Sequence, residues 1–387
     1  MRIVDAREIT VPLEGTVANA VVSFEGHTVS LVALVSDVRR NGVPLVGFAF
    51  NSIGRYGQSG ILRERMFPRL SAAAPDALLS EDGGVFDPAR VLATVMRNEK
   101  PGGHGDRAGA AAAIELAVWD LNAKLADEPA YVTIARAFGR ALPAGPVPVY
   151  AAGGYYYPGD SPGRLRQELE GYRGLGFDAF KIKIGGASLD EDLRRIDTAL
   201  EVAASGTKLA VDANGRFDLD QAIAFGRAIE PLGLRWFEEP GDPLDFRLNQ
   251  ALCATYPGAI ATGENLFSAA DGRNLVRYGG MRPGVDVFQM DPGLSYGLTE
   301  YDRVLKILER SGFDRRSCFP HGGHLINLHV VAGLGLGGCE AYPGVFQPFG
   351  GYAPDCEMGE GTVTPGSSPG FGLESKPELA ERLSELG

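Results

Sequence analysis

The chain has 387 residues, 44% of them hydrophobic and 22% charged, a balance that excludes a disordered or fibrous chain and predicts two domains or one large barrel with additions. Asp and Glu number 49 against 37 Lys plus Arg, and the formal net charge of −12 excludes nucleic acid and anionic membrane surfaces as expected partners. Cys253, Cys318, Cys339 and Cys356 show no CxxC spacing, and acids at Asp5 and Glu8 interrupt any signal-like run, so a reducing cytoplasm is the expected location.

In chain order, residues 1–130 mix strand-like segments (28–35, 46–50) with helical ones (88–97, 108–126), predicting an α+β capping domain. Segment 108–126 carries Glu115, Asp120 and Lys124 and reads as an amphipathic helix, not as a membrane span. From residue 146 short apolar strings alternate with helical segments: 147–151, 179–184, 208–214, 235–239, 259–264, 286–291, 316–321 and 338–342. Helices are legible between them at 189–204, 219–229, 269–278 and 299–311. This alternation predicts the α/β class, with a modified TIM-like (β/α)8 barrel over 146–349 as the catalytic domain. The Gly- and Pro-rich remainder, 350–387, ends in a helix at 377–385 and is expected to pack back on the cap.

Polar residues where barrel strands end face the loops that build a site. Here the strings end on Lys181 and Lys183, on Asp212 and Asn214, on Glu238 and Glu239, on Glu264, on Asp291, on His321 and on Glu340. Asp212, Glu238 and Glu264 stand one βα unit apart, so three carboxylates should converge from adjacent strands and repel one another unless a cation neutralises them. All-oxygen ligation without cysteine or an HxxxH pair favours Mg²⁺ over Zn²⁺. Lys181 and Lys183 alternate onto one side of a buried strand, and two ammonium groups side by side depress at least one pKa, which makes Lys183 the candidate base. Asp291 on the neighbouring string fixes and charges His321, the candidate acid. His324 and His329 read as core histidines. His104 sits in a glycine-rich loop that could touch substrate, and His27 stays unassigned.

Taken together, KIK at 181–183, DAN at 212–214, EEP at 238–240 and GEN at 263–265, followed by the Asp291 and His321 pair, resemble the enolase superfamily in its mandelate racemase-like branch. The strings NSIGRYGQ (51–58), NEKPGGHG (98–105), YAAGGYYYPG (150–159) and FPHGGH (319–324) are similar to those of D-tartrate dehydratases. The resemblance implies Asp212, Glu238 and Glu264 as Mg²⁺ ligands, Lys183 as base, and His321 with Asp291 as the acid dyad. It further implies Lys181 as a contact to the substrate carboxylate, Asn214 as a contact near metal and substrate, and Glu340 as the acid that hydrogen-bonds the enolate oxygen. In the cap it implies Asn19 and Lys100 as substrate contacts. Ile53 departs from the pattern, since the matching position carries an Asn.

The expected function is Mg²⁺-dependent dehydration of a small hydroxy diacid, D-tartrate to oxaloacetate, through α-proton abstraction, a Mg²⁺-stabilised enediolate and His321-assisted loss of the 3-hydroxyl. Dehydration of a related acid sugar, motivated by Ile53, and racemisation or epimerisation by the same two residues are the alternatives. A metal-dependent hydrolase would need clustered histidines, and a silent barrel would have lost site residues. Such capped barrels resemble homo-oligomers.

Overall fold

The computed structural model describes residues 1–143, 145–157, 159 and 161–387, and Pro158 of the 150–159 string lies outside them. Strands β1 (Ile3–Pro12), β2 (Thr28–Arg40) and β3 (Val43–Phe50) make an antiparallel sheet in that order. Asn41 and Gly42, at φ 53° and 83°, supply the two left-handed residues that a tight hairpin between β2 and β3 requires.

The Asp106–Ala126 helix crosses this sheet so closely that a Cβ at Gly47 would stand 2.1 Å from the Ala117 carbonyl oxygen. The helix is buried on every side from Ala108 to Lys124, which corrects the amphipathic expectation. Its charged residues form internal ties instead of a wet face. Glu115 accepts hydrogen bonds from the Leu298 and Thr299 amides at 2.9 Å each and from the Trp119 indole at 3.0 Å, so it seats the start of the Leu298–Arg310 helix. Asp120 accepts from the amides of Phe48 (2.8 Å) and Phe371 (2.6 Å) and pairs with Lys124 at 2.6 Å.

Six parallel strands follow as neighbours: β4 (Val147–Gly153), β5 (Phe180–Lys183), β6 (Leu209–Asp212), β7 (Phe237–Glu238), β8 (Ile260–Thr262) and β9 (Val287–Phe288). β10 (Cys339–Ala341) returns to pair with β4 and closes the ring. The seventh string shrinks to a single bridge between Phe288 and Cys318. Its first residues wind into a short helical turn, Arg315–Ser317, capped by Asp314, and Pro320 has no N–H to give to a ladder. Bonds from the Phe319 amide to Phe288 (2.8 Å) and from the Gly337 amide to Cys318 (3.0 Å) still hold it in place. Between strands, Ser188, Asp218, Asp245 and Ser268 cap the following helices with their side chains, so these four chain reversals are written locally.

Alternation along the strands fills the barrel in layers. The lowest layer packs Tyr150, Ala179, Ala210, Trp236, Ala261 and Val287 into one cluster. Two residues further along, the inward positions turn polar at Lys181, Asp212, Glu238 and Gln289, while Ala152 and Gly263 stand at that level in β4 and after β8. In the tail, the hairpin of β11 (Glu357–Gly359) and β12 (Thr362–Thr364) adds to the start of β4, while the Pro377–Leu386 helix lies by β1, where Arg7 donates to the Leu386 carbonyl at 2.8 Å. Among the described residues it is the last part of the tail, the Pro377–Leu386 helix, that lies against the cap sheet. Among the described residues no helix is long and apolar enough to cross a membrane.

Asp120 joins sheet, helix and tail at one buried point. Asp120→Ala leaves the Phe48 and Phe371 amides without an acceptor and takes from Lys124 one of its two acidic partners, Glu374 remaining, and is expected to cost about 3 kcal/mol, read as a lowered urea midpoint at unchanged slope.

Candidate active site

The polar layer begins with Lys181 and Glu238. The Lys181 ammonium lies 2.5 Å from Glu238, 2.6 Å from Glu340 and 3.5 Å from Asp212, all fully or nearly fully buried. Burial alone would lower its pKa, but Glu238 and Glu340 outweigh it and hold the amine well above its ordinary value. Trp236 and Gln289 donate to the other Glu238 oxygen at 2.9 and 2.7 Å. One step nearer the mouth, the Lys183 ammonium bonds Asp212 at 2.5 Å, and the Asn214 amide donates to the opposite Asp212 oxygen at 2.9 Å. Burial pushes Asp212 up, yet Lys183 and Lys181 together hold its carboxyl far below the usual carboxylate range.

Asp212, Glu238 and Glu264 each offer an oxygen, and the three oxygens lie within 4.8 Å of one another. That spacing closes on one hard cation with small side-chain shifts. Two further observations fit such an ion. A Glu264 oxygen is buried without a hydrogen bond, and Glu238 is pushed up to about 8 by burial and by Asp212, against the pull of Lys181. Glu239, held by the Asn265 amide at 2.9 and 3.0 Å, is raised well above the normal range by burial and then by Glu264.

On another side of the ring, His321 Nδ1 lies 3.4 Å from Asp291, whose other oxygen is fixed by the Gly293 amide at 2.7 Å and by Asn327 at 3.2 Å. Nε2 faces Tyr342 Oη at 3.0 Å and Glu264 at 3.7 Å. Burial opposes the charged ring, but Glu264, the Asp291 hydrogen bond and Glu340 outweigh it and raise the pKa to about 9. His324 and His329 are the reverse case, driven down by burial to about 4 and about 3. His324 caps the Leu325–Leu334 helix and bonds Ser52 at 2.9 Å, and His329 lies inside that helix.

Lys183, Asn214, Glu264 and His321 share one cavity of about 280 Å³ with Asn19, Ile53, Arg55 and Tyr342. Asn19 holds its own loop there, its side-chain oxygen accepting from the Val21 and Val22 amides at 2.8 and 2.7 Å. Three sequence-predicted contacts, Lys181, Lys100 and Glu340, stand outside this cavity. Lys181 lies one inward position deeper, a rise of about 7 Å along the strand, so its charge acts from below and its partners are acids, not the other lysine. Lys100 is exposed on the rim of a separate cleft with His104, because Glu99 is anchored to Arg65, Arg69 and Arg107 and the Lys100 carbonyl accepts from Arg107 at 2.9 Å. His104 bonds Tyr296 there at 3.0 Å. Glu340 lies beneath the cavity, paired with Lys181 and accepting from the Gly322 amide at 3.0 Å.

The sequence reading assigned no role to Tyr342, Glu239 and Arg55. Tyr342 was recoverable, since it follows Glu340 by two and alternation turns both inward. Glu239 and Arg55 sit in loop geometry with no periodic signal.

A family model described as Enolase C-terminal domain-like matches residues 164–379. The arabinonate dehydratase of Saccharolobus solfataricus is 30% identical over 223 residues, 57% of this chain and 57% of that protein, so the match spans less than two thirds of that relative. The L-talarate/galactarate dehydratase of Salmonella typhimurium is 28% identical over 309 residues, covering 78% and 71%. Among solved structures, a racemase from Streptomyces coelicolor with bound magnesium superposes with a TM-score of 0.77 at 24% identity over 99% of both chains, a likeness of fold.

With its pKa near 9, His321 is an imidazolium at pH 7. Its charge adds stability that is fully present below about pH 6.5 and is lost as pH climbs through about 9. Nitrogen-15 NMR of the metal-free protein should show this ring titrating near pH 9, with a lower midpoint in Asp291→Asn. A wild-type midpoint at or below the ordinary value contradicts the geometry.

Proposed function

Because the chain belongs to the enolase superfamily, in its mandelate racemase-like branch, we propose that it is a Mg²⁺-dependent dehydratase of a small hydroxy acid, with D-tartrate as the substrate. The observation that carries this reading is the placement of Lys183 and His321 on different sides of one small cavity whose floor gathers Asp212, Glu238 and Glu264. Bound to those three carboxylates, Mg²⁺ supplies positive charge against which negative charge on the substrate carboxylate builds.

Lys183, an ammonium paired with Asp212 in the metal-free chain, first releases a proton to solvent; as the neutral amine its Nζ takes the C2 proton, and the C–H electron pair moves toward the carboxylate. The Lys181 ammonium, buried below, favours that accumulation of charge from a fixed position. His321 gives its Nε2 proton to the 3-hydroxyl, which departs as water while the electron pair forms the C2–C3 double bond. The resulting enol becomes a 2-keto acid, oxaloacetate in the case of D-tartrate. Asp291 keeps the imidazolium oriented, and the apolar wall of Phe24, Leu294 and Phe346 excludes water from the base. Of the four loop strings, 51–58, 150–159 and 319–324 reach the cavity and support D-tartrate, whereas 98–105 lines the separate cleft. Ile53 is buried in the cavity wall where the similar enzymes carry an amide, which bears on how tightly the hydroxyls are read.

Incubation of the Mg²⁺-loaded protein with D-tartrate, galactarate, D-arabinonate and D-galactonate should release a 2-keto acid, fastest from D-tartrate. Uptake of deuterium at C2 with a new stereoisomer and no keto acid would assign racemisation instead. Lys183→Ala should lower C2 proton exchange by about 10³-fold while Mg²⁺ binding persists, and retained exchange removes Lys183 from the role of base.

A further inference from the structure

We infer that Arg55 makes this cavity a dicarboxylate site, its guanidinium receiving the substrate carboxylate that does not react; the inference rests on the hydroxy-acid reading above and narrows it. The cations of the site differ in how they are compensated. Lys181 is paired with Glu238 and Glu340, Lys183 with Asp212, and His321 with Asp291. Arg55 lines the same cavity, and among the described residues its recorded partners are a neutral amide oxygen, Asn265 Oδ1 at 2.6 Å, and the Phe267 ring, 5.0 Å from the guanidinium carbon.

Those two partners orient the group without neutralising it. Asn265 is itself fixed, because its amide nitrogen donates to both oxygens of Glu239 and so turns its oxygen toward Arg55. The Phe267 ring backs the guanidinium. A guanidinium carries five N–H donors in a rigid fork, and one of them is spent here. The fork matches a carboxylate through two parallel hydrogen bonds, whereas a terminal hydroxymethyl group offers one neutral oxygen. Elsewhere in the cavity lining Ile53, Val21, Val22 and Leu294 are apolar, and the other two cations, Lys183 and His321, already face Asp212 and Asp291. The relatives include enzymes named for monoacids and an enzyme named for diacids, so the choice is a real one within this fold.

The test uses matched pairs that differ only in the far end group: D-tartrate against D-threonate, and galactarate against D-galactonate. Binding is measured by calorimetry on Mg²⁺-loaded Lys183→Ala protein, which does not turn the ligands over, with and without Arg55→Met. The parent is expected to bind the diacid of at least one pair about tenfold more tightly than its monoacid, the range for losing charge-assisted hydrogen bonds. Arg55→Met should erase that preference by weakening the diacid alone, and Arg55→Lys should keep part of it. No preference in the parent, or equal weakening of both members of a pair by Arg55→Met, overturns the inference. An Arg55-dependent preference in the galactarate pair with no keto acid from D-tartrate upholds Arg55 and dismisses D-tartrate. Keto acid from D-tartrate without that preference dismisses Arg55 alone.

Discussion

Crowding of negative charge at one end of the barrel is the constraint on which the rest of the structure turns. Asp212, Glu238, Glu239, Glu264, Asp291 and Glu340 all point into or beneath one cavity, and the buried cations that answer them are Lys181, Lys183 and His321. The mismatch is visible in Glu238, pushed up to about 8 by burial and Asp212, and in Glu239, held well above the normal range by burial and Glu264. A barrel that only had to be stable would place apolar side chains here, as the layer of Tyr150, Trp236 and small alanines below it does. The acids are tolerated because strand register, not local preference, brings them together.

The cap completes what the strands begin. Glu115, buried in the central cap helix, seats the first turn of the Leu298–Arg310 helix, just beyond the loop that carries Asp291 and Leu294. The segment after β3 delivers Ile53 and Arg55 to the cavity, and its Ser52 bonds the His324 ring that caps the helix following His321. Charge chemistry therefore resides on strand ends, and shape and selectivity reside on loops held by the cap. That division sets Lys183 and His321, the proposed proton carriers, apart from Arg55 and Asn19, the loop residues proposed to contact substrate.

Much of this was legible from residues alone. The equal spacing from Asp212 to Glu238 to Glu264 marks one βα unit each, and the structure brings those three acids within 4.8 Å. The 219–229 and 269–278 helices have in the structure the bounds read from the sequence, each starting just after a side-chain cap, Asp218 or Ser268. Depth along a strand was not legible: alternation assigns Lys181 and Lys183 to one side but is silent on which meets the cavity. The seventh strand was overread because its apolar residues conceal a capped turn and a proline. The 108–126 helix misled because three charges in an alanine-rich stretch look like a solvated face, when each has a partner from another element. Lys100 was assigned by loop likeness, and the path of that loop is set by long-range ties of Glu99 that no local pattern encodes.

The claim that a single divalent ion resolves the charge conflict among Asp212, Glu238 and Glu264 is tested most directly by calorimetric titration of metal-free protein with Mg²⁺ at pH 8. One ion per chain should bind to the wild type, with binding lost in Asp212→Asn and in Glu264→Gln. Absence of binding, or undiminished binding when either acid is neutralised, would contradict the account.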